Sequence, residues 1–282
     1  MKSILTTLAC SAAAFFVFAS PNVMAATIDD FSDLNDTVNP TWTHLFGAVG
    51  STGQSWDAST GEYRLKAPTN GLNVPPGGQL GFVGSIAGPS SGDVTVMADL
   101  VEPTGSPSAV ATGYLVGVAA HLNGSNLPGG LTGYLFAYNQ SGVPGTPRIE
   151  ITKVRSGGST SVVAASGVIP ALDLLNKNYT FSLTSTGNTW TGNLFEVGGP
   201  LVATASGTDV NSGGVPPFTS GFSGVFGLSA QLIGGPVDAT FDNFSATDVP
   251  EPATGLLVVF GAGLLLLNCR FLRGSLAKLQ YN

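Results

Sequence analysis

The sequence predicts an all-β fold, an antiparallel β-sandwich such as a jelly roll, carried between two apolar terminal segments. Three observations lead there. Short segments alternate apolar and polar residues with a period of two, the signature of half-buried strands. Between them stand 39 glycines and 18 prolines in 282 residues, the chemistry of many tight turns. Helical periodicity is scarce, and Ala171–Leu175 suffices for one turn and no more. No fixed-period repeat occurs, which argues against a propeller or a solenoid.

Met1–Ala25 reads as a secretory signal peptide. Lys2 supplies the positive start, Ile4–Ala19 the apolar region, and Pro21 breaks it before a cleavage site at Ala26 or Thr27. The Sec translocon and signal peptidase are the implied partners. Lipoprotein processing at Cys10 is the rival, but Thr7-Leu8-Ala9 lacks leucine in the usual first place and too little apolar chain precedes it.

Ala26–Asp248 is the predicted sandwich ectodomain, roughly 220 residues, long enough to bury a sizeable core. Ile28 and Phe31 anchor a first strand. Glu62–Ala67 sets Tyr63 and Leu65 on one face, and Val94–Leu100 alternates Val94, Val96, Ala98 and Leu100 with Thr95, Met97 and Asp99. Gly113–Ala120 and Gly133–Asn139 are apolar throughout and fit strands buried on both faces. Arg148–Lys153 alternates Ile149 and Ile151 with charged or hydroxyl residues, and Tyr179–Leu183 puts Tyr179, Phe181 and Leu183 on one side. Thr189–Val197, Gly224–Ile233 and Val237–Phe244 continue the series.

Charge narrows the partners. The ectodomain carries six basic side chains against sixteen acidic ones, a balance of −10. Nucleic acid and anionic membrane surfaces need basic patches and are excluded as partners. Divalent cations and neutral polysaccharide remain compatible. The only cysteines are Cys10 and Cys269, both in the terminal segments, so no disulfide staples the sandwich.

Catalytic patterns are missing. Glu62, Glu102, Glu150 and Glu196 are scattered, whereas glycoside hydrolysis needs two carboxylates across one sugar bond. Glu150 is expected on a solvated strand face. His44 and His121 are expected at the surface or an edge, since neither has a second ligand nearby in sequence. No nucleophile elbow or phosphate-cradling loop occurs. The chain is therefore expected not to be an enzyme and to need no cofactor beyond, at most, a structural calcium. Asp29, Asp30 and Asp242, with a carbonyl from Asn243, are the candidate ligands if the end strands pair. Trp42 and Trp56, in loops by sequence, are the candidate carbohydrate contacts.

The C-terminal segment, Val249–Asn282, is built differently. Pro250 and Pro252 fix φ and remove two backbone donors, and Glu251 sets one carboxylate between them. The apolar run Leu256–Leu267 is about 12 residues, too short alone to span a bilayer, but Ala253–Leu272 supplies about 20. Arg270 and Arg273, with Lys278 beyond, hold that end on the cytoplasmic side of a transmembrane helix.

Val249-Pro250-Glu251-Pro252, the apolar run and the closing arginines together resemble the PEP-CTERM sorting signal of Gram-negative bacteria. The resemblance implies recognition by an exosortase, a membrane transpeptidase that cuts near the motif and passes the protein to the cell surface or extracellular matrix. It also implies a setting rich in exopolysaccharide, as in a biofilm. Lys278–Asn282 runs slightly past the usual arginine-rich end. A plain membrane anchor and a buried apolar helix remain the alternatives.

Within the ectodomain, the opening IDDFSD, the stretch SWDASTGEYRLKAP and the closing ATFDNFSATD resemble a concanavalin A-like lectin/glucanase sandwich. That resemblance implies pairing of the first and last strands, here Ile28–Phe31 with Phe241–Phe244. The expected role is structural or adhesive and non-enzymatic. A carbohydrate-binding module is the alternative, and a divergent glycoside hydrolase the weaker third.

Overall fold

The computed structural model describes residues 26–46, 53–67, 73–74, 78–101, 115–124, 130–139, 147–174, 176–230 and 237–249. The segments expected to form a signal peptide and a transmembrane helix, Arg270 and Arg273 among them, and Pro250, Glu251 and Pro252 lie outside them. Among the described residues no helix is long and apolar enough to cross a membrane.

Sixteen strands are described. In chain order they are β1 (Ala26–Asp29), β2 (Thr43–Phe46), β3 (Ser55–Asp57), β4 (Tyr63–Ala67), β5 (Asn73–Val74), β6 (Gly78–Ser91), β7 (Val94–Val101) and β8 (Leu115–Asn123). There follow β9 (Thr132–Asn139), β10 (Arg148–Val154), β11 (Thr160–Ala165), β12 (Tyr179–Thr186), β13 (Thr189–Glu196), β14 (Leu201–Thr208), β15 (Ser220–Ala230) and β16 (Val237–Asp248). All pairings are antiparallel. One sheet runs β14-β13-β12-β7-β16-β4-β3, with β1 also on β16; the other runs β11-β10-β9-β8-β15-β6-β2, with β5 on β6.

The strand patterns explain the layering. Val94, Val96, Ala98 and Leu100 of β7, with Phe181, Leu183, Trp190 and Leu194, point into the main core. Val116, Val118, Tyr134, Phe136, Ile149 and Ile151 meet them from the second sheet. Gly192 sets the separation of the layers: a Cβ there would stand 2.3 Å from the Phe136 ring. The second sheet is buried on its other face as well, where Leu45, Phe82, Leu115, Leu135 and Phe226 form a second apolar cluster. Burial on both faces is why β8 and β9 read as continuous apolar runs rather than alternations.

The first and last strands do pair, but not in the expected register: Phe241 pairs with Tyr63 and Leu100 instead, and the ladder runs from Asp29 opposite Phe244 to Ala26 opposite Thr247. Phe31 lies beyond it at φ 53°, where the chain turns inward and buries the ring. The helical turn expected at Ala171–Leu175 does not form among its described residues. Instead the N–H groups of Leu172 and Asp173 donate to the hydroxyls of Tyr138 and Tyr179.

At its far end the sandwich closes on the first residue of the Pro-Glu-Pro segment. β16 ends at Asp248, and the N–H of Val249 donates to the carbonyl of Asp93 at 2.8 Å.

Candidate functional site

Of the predicted site residues, Asp29 and Trp42 meet where the two chain ends of the sandwich pair. Asp29 ends β1 and turns its carboxylate inward, where it accepts hydrogen bonds from the N–H of Phe31 and from Trp42 Nε1, both at 2.7 Å. Burial pushes its pKa up, and those two hydrogen bonds only partly offset this. Trp42 is 5% exposed and packs on Phe31, Tyr63 and Phe244 at centroid separations of 4.8–5.5 Å. The exposed sugar platform expected of Trp42 is therefore not present. The indole is core, and its N–H is spent on Asp29.

Trp56 lies on the edge strand β3 rather than in a loop, and it is half-buried. Its Nε1 donates to the carbonyl of Gly84 at 2.8 Å, and one ring face stacks on His44 at 4.6 Å. His44 in turn contacts Asp36 through Nε2 at 2.7 Å. Tyr63 donates to Ser85 at 2.8 Å, and burial drives its pKa far up. The corner thus satisfies its own polar groups and fixes the entry of the chain into the fold.

The expected calcium ligands are not assembled into a shell. Asp29 faces the core, Asp30 accepts from the N–H of Ser32, and Asp242 accepts from the N–H of Asn243 at 2.7 Å. Asn243 donates from Nδ2 to Asp99 at 3.0 Å instead of offering a carbonyl. Burial, and then the negative charges of Asp99, Glu62 and Asp30, push Asp242 up against the hydrogen bond it accepts. Among the described residues no three His, Cys, Asp or Glu side chains are placed to hold a metal.

Two expectations about polar side chains are corrected. Glu150 is buried on the outer face of the second sheet, where Arg148 reaches it at 2.9 Å, so its strand face is not solvated. His121 is 2% exposed rather than at the surface. Its Nδ1 lies 2.8 Å from the carbonyl of Phe218, and its ring meets Trp190 edge-on at 5.3 Å.

The charged group that sequence reasoning missed is the deepest. Lys153 and Asp209 are each fully buried and lie 2.7 Å apart. The ammonium also donates to the carbonyls of Val215 and Pro216 at 2.6 and 2.9 Å and sits 5.0 Å above the Phe218 ring. Asp209 accepts from Tyr134 Oη and the N–H of Ser212, both at 2.6 Å. Burial alone would raise its pKa; the bonds from Lys153, Tyr134 and Ser212 outweigh that and hold it below the ordinary value. The signal was present in the strand pattern. Lys153 shares the inward parity of Ile149 and Ile151, so a lysine sits where the alternation demands an apolar residue. With all three ammonium protons accepted, the pair is a structural clamp that ties the 209–218 segment to β10.

No protein-family model matches the chain, and no curated protein matches it either. Solved structures do. One is a protein of unknown function with a galectin-like fold from Bacillus subtilis, at TM-score 0.50 and 12% identity, covering 74% of this chain and 90% of that one. The two share an all-β sandwich fold of two antiparallel sheets. The exoplasmic/lumenal domain of VIP36, in a Ca2+/Man3GlcNAc-bound form, aligns at TM-score 0.49 and 10% identity, over 80% of this chain and 90% of that one. A xyloglucan-locus GH43B protein from Bacteroides ovatus aligns at TM-score 0.45 and 20% identity, over 79% of this chain; the chain spans 39% of its length.

Proposed function

We propose that this chain is an exported, non-enzymatic β-sandwich sorted by an exosortase to the cell surface or extracellular matrix. Its role there is structural or adhesive, in contact with exopolysaccharide. The observation that carries the sorting is the position of the boundary. Among the described residues the last strand ends at Asp248, the N–H of Val249 bonds back to the carbonyl of Asp93, and the next residue in sequence is Pro250. A cut within or just after Pro250-Glu251-Pro252 leaves all sixteen described strands in the cargo. The flanking segments supply the route: Sec export through Met1–Ala25, and an inner-membrane intermediate held by Ala253–Leu272 with Arg270 and Arg273.

The passive role rests on how the carboxylates are used. Hydrolysis of a glycoside needs one free acid and one free carboxylate facing the same bond. Glu150 is buried against Arg148, Glu196 is paired with Lys177 at 2.8 Å, and Asp209 is locked in the core. Replacing Pro250-Glu251-Pro252 by three alanines tests the sorting. The variant is expected to stay with the inner membrane while the unaltered protein reaches the outside. Equal delivery of both rules the sorting out.

A further inference from the structure

The outer face of the first sheet carries hydroxyl groups in rows. Residues directly opposite in an antiparallel ladder point to the same side. The register sets Thr247 of β16 opposite Thr95 of β7, Thr95 opposite Thr184 of β12, Thr184 opposite Thr191 of β13, and Thr191 opposite Ser206 of β14. One row of hydroxyls therefore crosses five strands, spanning about 19 Å at the usual strand separation. Two residues along the strands, Asn193 and Thr204 begin a second row beside Ser182, which is itself buried. Their chain neighbours Leu183, Leu194 and Ala205 are buried on the inner face, so both rows face outward.

Lateral bonds hold the hydroxyls in place. Thr95 and Thr184 are 3.1 Å apart, Thr191 and Ser206 3.0 Å, and Thr189 and Thr208 3.0 Å. Each such pair has two protons and four lone pairs and spends one of each on itself. What remains per pair is one donor and three acceptor sites, a surface that seeks O–H donors. Neither row contains an ionisable side chain. The charges of this face lie apart, with Arg64 and Asp238 joined at 2.7 Å on β4 and β16, and Asp99 opposite Asp242. Beside the rows, Phe195 opposite Leu201 adds a half-exposed apolar strip.

We propose that this face is a binding site for the ordered surface of a neutral polysaccharide. It takes from the reading above only the adhesive role and assigns that role a site and a ligand class. A surplus of acceptors, flanked by carboxylates, suits a ligand that brings hydroxyl protons and no negative charge. A row this long meets several sugar rings at once, so the repeat is recognised rather than a single residue. Each contact is weak alone and gains by simultaneous engagement of its neighbours. The Phe195 and Leu201 strip offers the C–H faces of the rings an apolar bed.

The test is retention of the full chain, kept soluble in a sugar-free detergent, on microcrystalline cellulose. Thr95→Val, Thr184→Val and Thr191→Val are combined in one variant, which keeps β-branched shapes while removing three hydroxyls. A matched variant with serine at the three positions restores the hydroxyls. Thr160→Val, on β11 of the other sheet, is the control. The unaltered chain, the serine variant and the control are expected to be retained, and millimolar cellobiose is expected not to release them. The valine variant is expected to bind at least roughly tenfold more weakly, at about 2- to 10-fold per hydroxyl. Equal retention of the valine variant overturns the site while leaving an adhesive carbohydrate role elsewhere on the domain. No retention of the unaltered chain, or a chain that shapes ice crystals and ignores cellulose, overturns the proposal; sorting is read separately from delivery.

Discussion

Replacing Lys153 by Met removes the cation of the buried pair and leaves most of the side-chain volume in place. Asp209 then stays fully buried, with Tyr134 and the N–H of Ser212 as its remaining partners. The carbonyls of Val215 and Pro216 lose their donor in the same step. Stranding one member of a buried pair costs about 3–5 kcal/mol. In a domain of this size each kcal/mol moves Tm by about 2–4 °C, so the expected fall is about 6–20 °C by circular dichroism or calorimetry. The double variant Lys153→Met/Asp209→Leu is expected to recover part of the loss, because the charge left unpaired is gone too. A fall of less than about 2 °C in the single variant would mean that the carboxylate finds water, and the clamp interpretation would be wrong.

Stability is expected to fall with acid in two steps. Burial, working against its bond to Phe218, holds His121 below the ordinary histidine value, so the unfolded chain takes the proton first. Stability therefore drops as pH falls through about 6.5, by up to about 1.4 kcal/mol per pH unit, and a His121→Gln variant lacks that step in a denaturant titration. Asp209, held low in the fold, contributes fully above about pH 3.9 and loses that contribution as pH falls further. Gly192→Ala drives a methyl into the Phe136 ring and is expected to cost about 1–3 kcal/mol, measured by denaturant unfolding; a neutral result would mean the layers are free to move apart. Millimolar calcium is expected to leave Tm unchanged, since Asp29 is committed to Trp42 and Phe31; a rise of several degrees would place a cation at this corner.

Much of the architecture was legible in short patterns. The alternation in Val94–Leu100 and Tyr179–Leu183 gave β7 and β12, and the continuous apolar runs marked β8 and β9 as buried on both faces. β6 was missed because GQLGFVGSIAGPSS is written in turn residues. Its glycines sit where strands crowd: a Cβ on Gly84 would lie 3.3 Å from the carbonyl of Val225. The pairing of the chain ends was implied by the resemblance, but not its register, nor that Phe31 would turn inward and draw Trp42 over it. That depends on a contact thirteen residues away in sequence, between Asp29 and the indole. Lys153 falls on the inward parity of Ile149 and Ile151, but the sequence does not show what accepts its charge there, because the partners lie in a segment sixty residues later. The hydroxyl rows escaped notice for a different reason. Thr-x-Ser-x-Thr is ordinary on an exposed strand, and only the register of β7, β12, β13 and β14 brings the hydroxyls side by side.

The intact mass of the protein recovered from outside its native host bears most directly on the idea of a self-contained β cargo with a removable address at each end. The expected species begins at Ala26 or Thr27 and ends within a few residues of Pro252, with β1 from at least Thr27 and the whole of β2–β16 retained. A mature product that still carries Arg270 and Arg273 would contradict it.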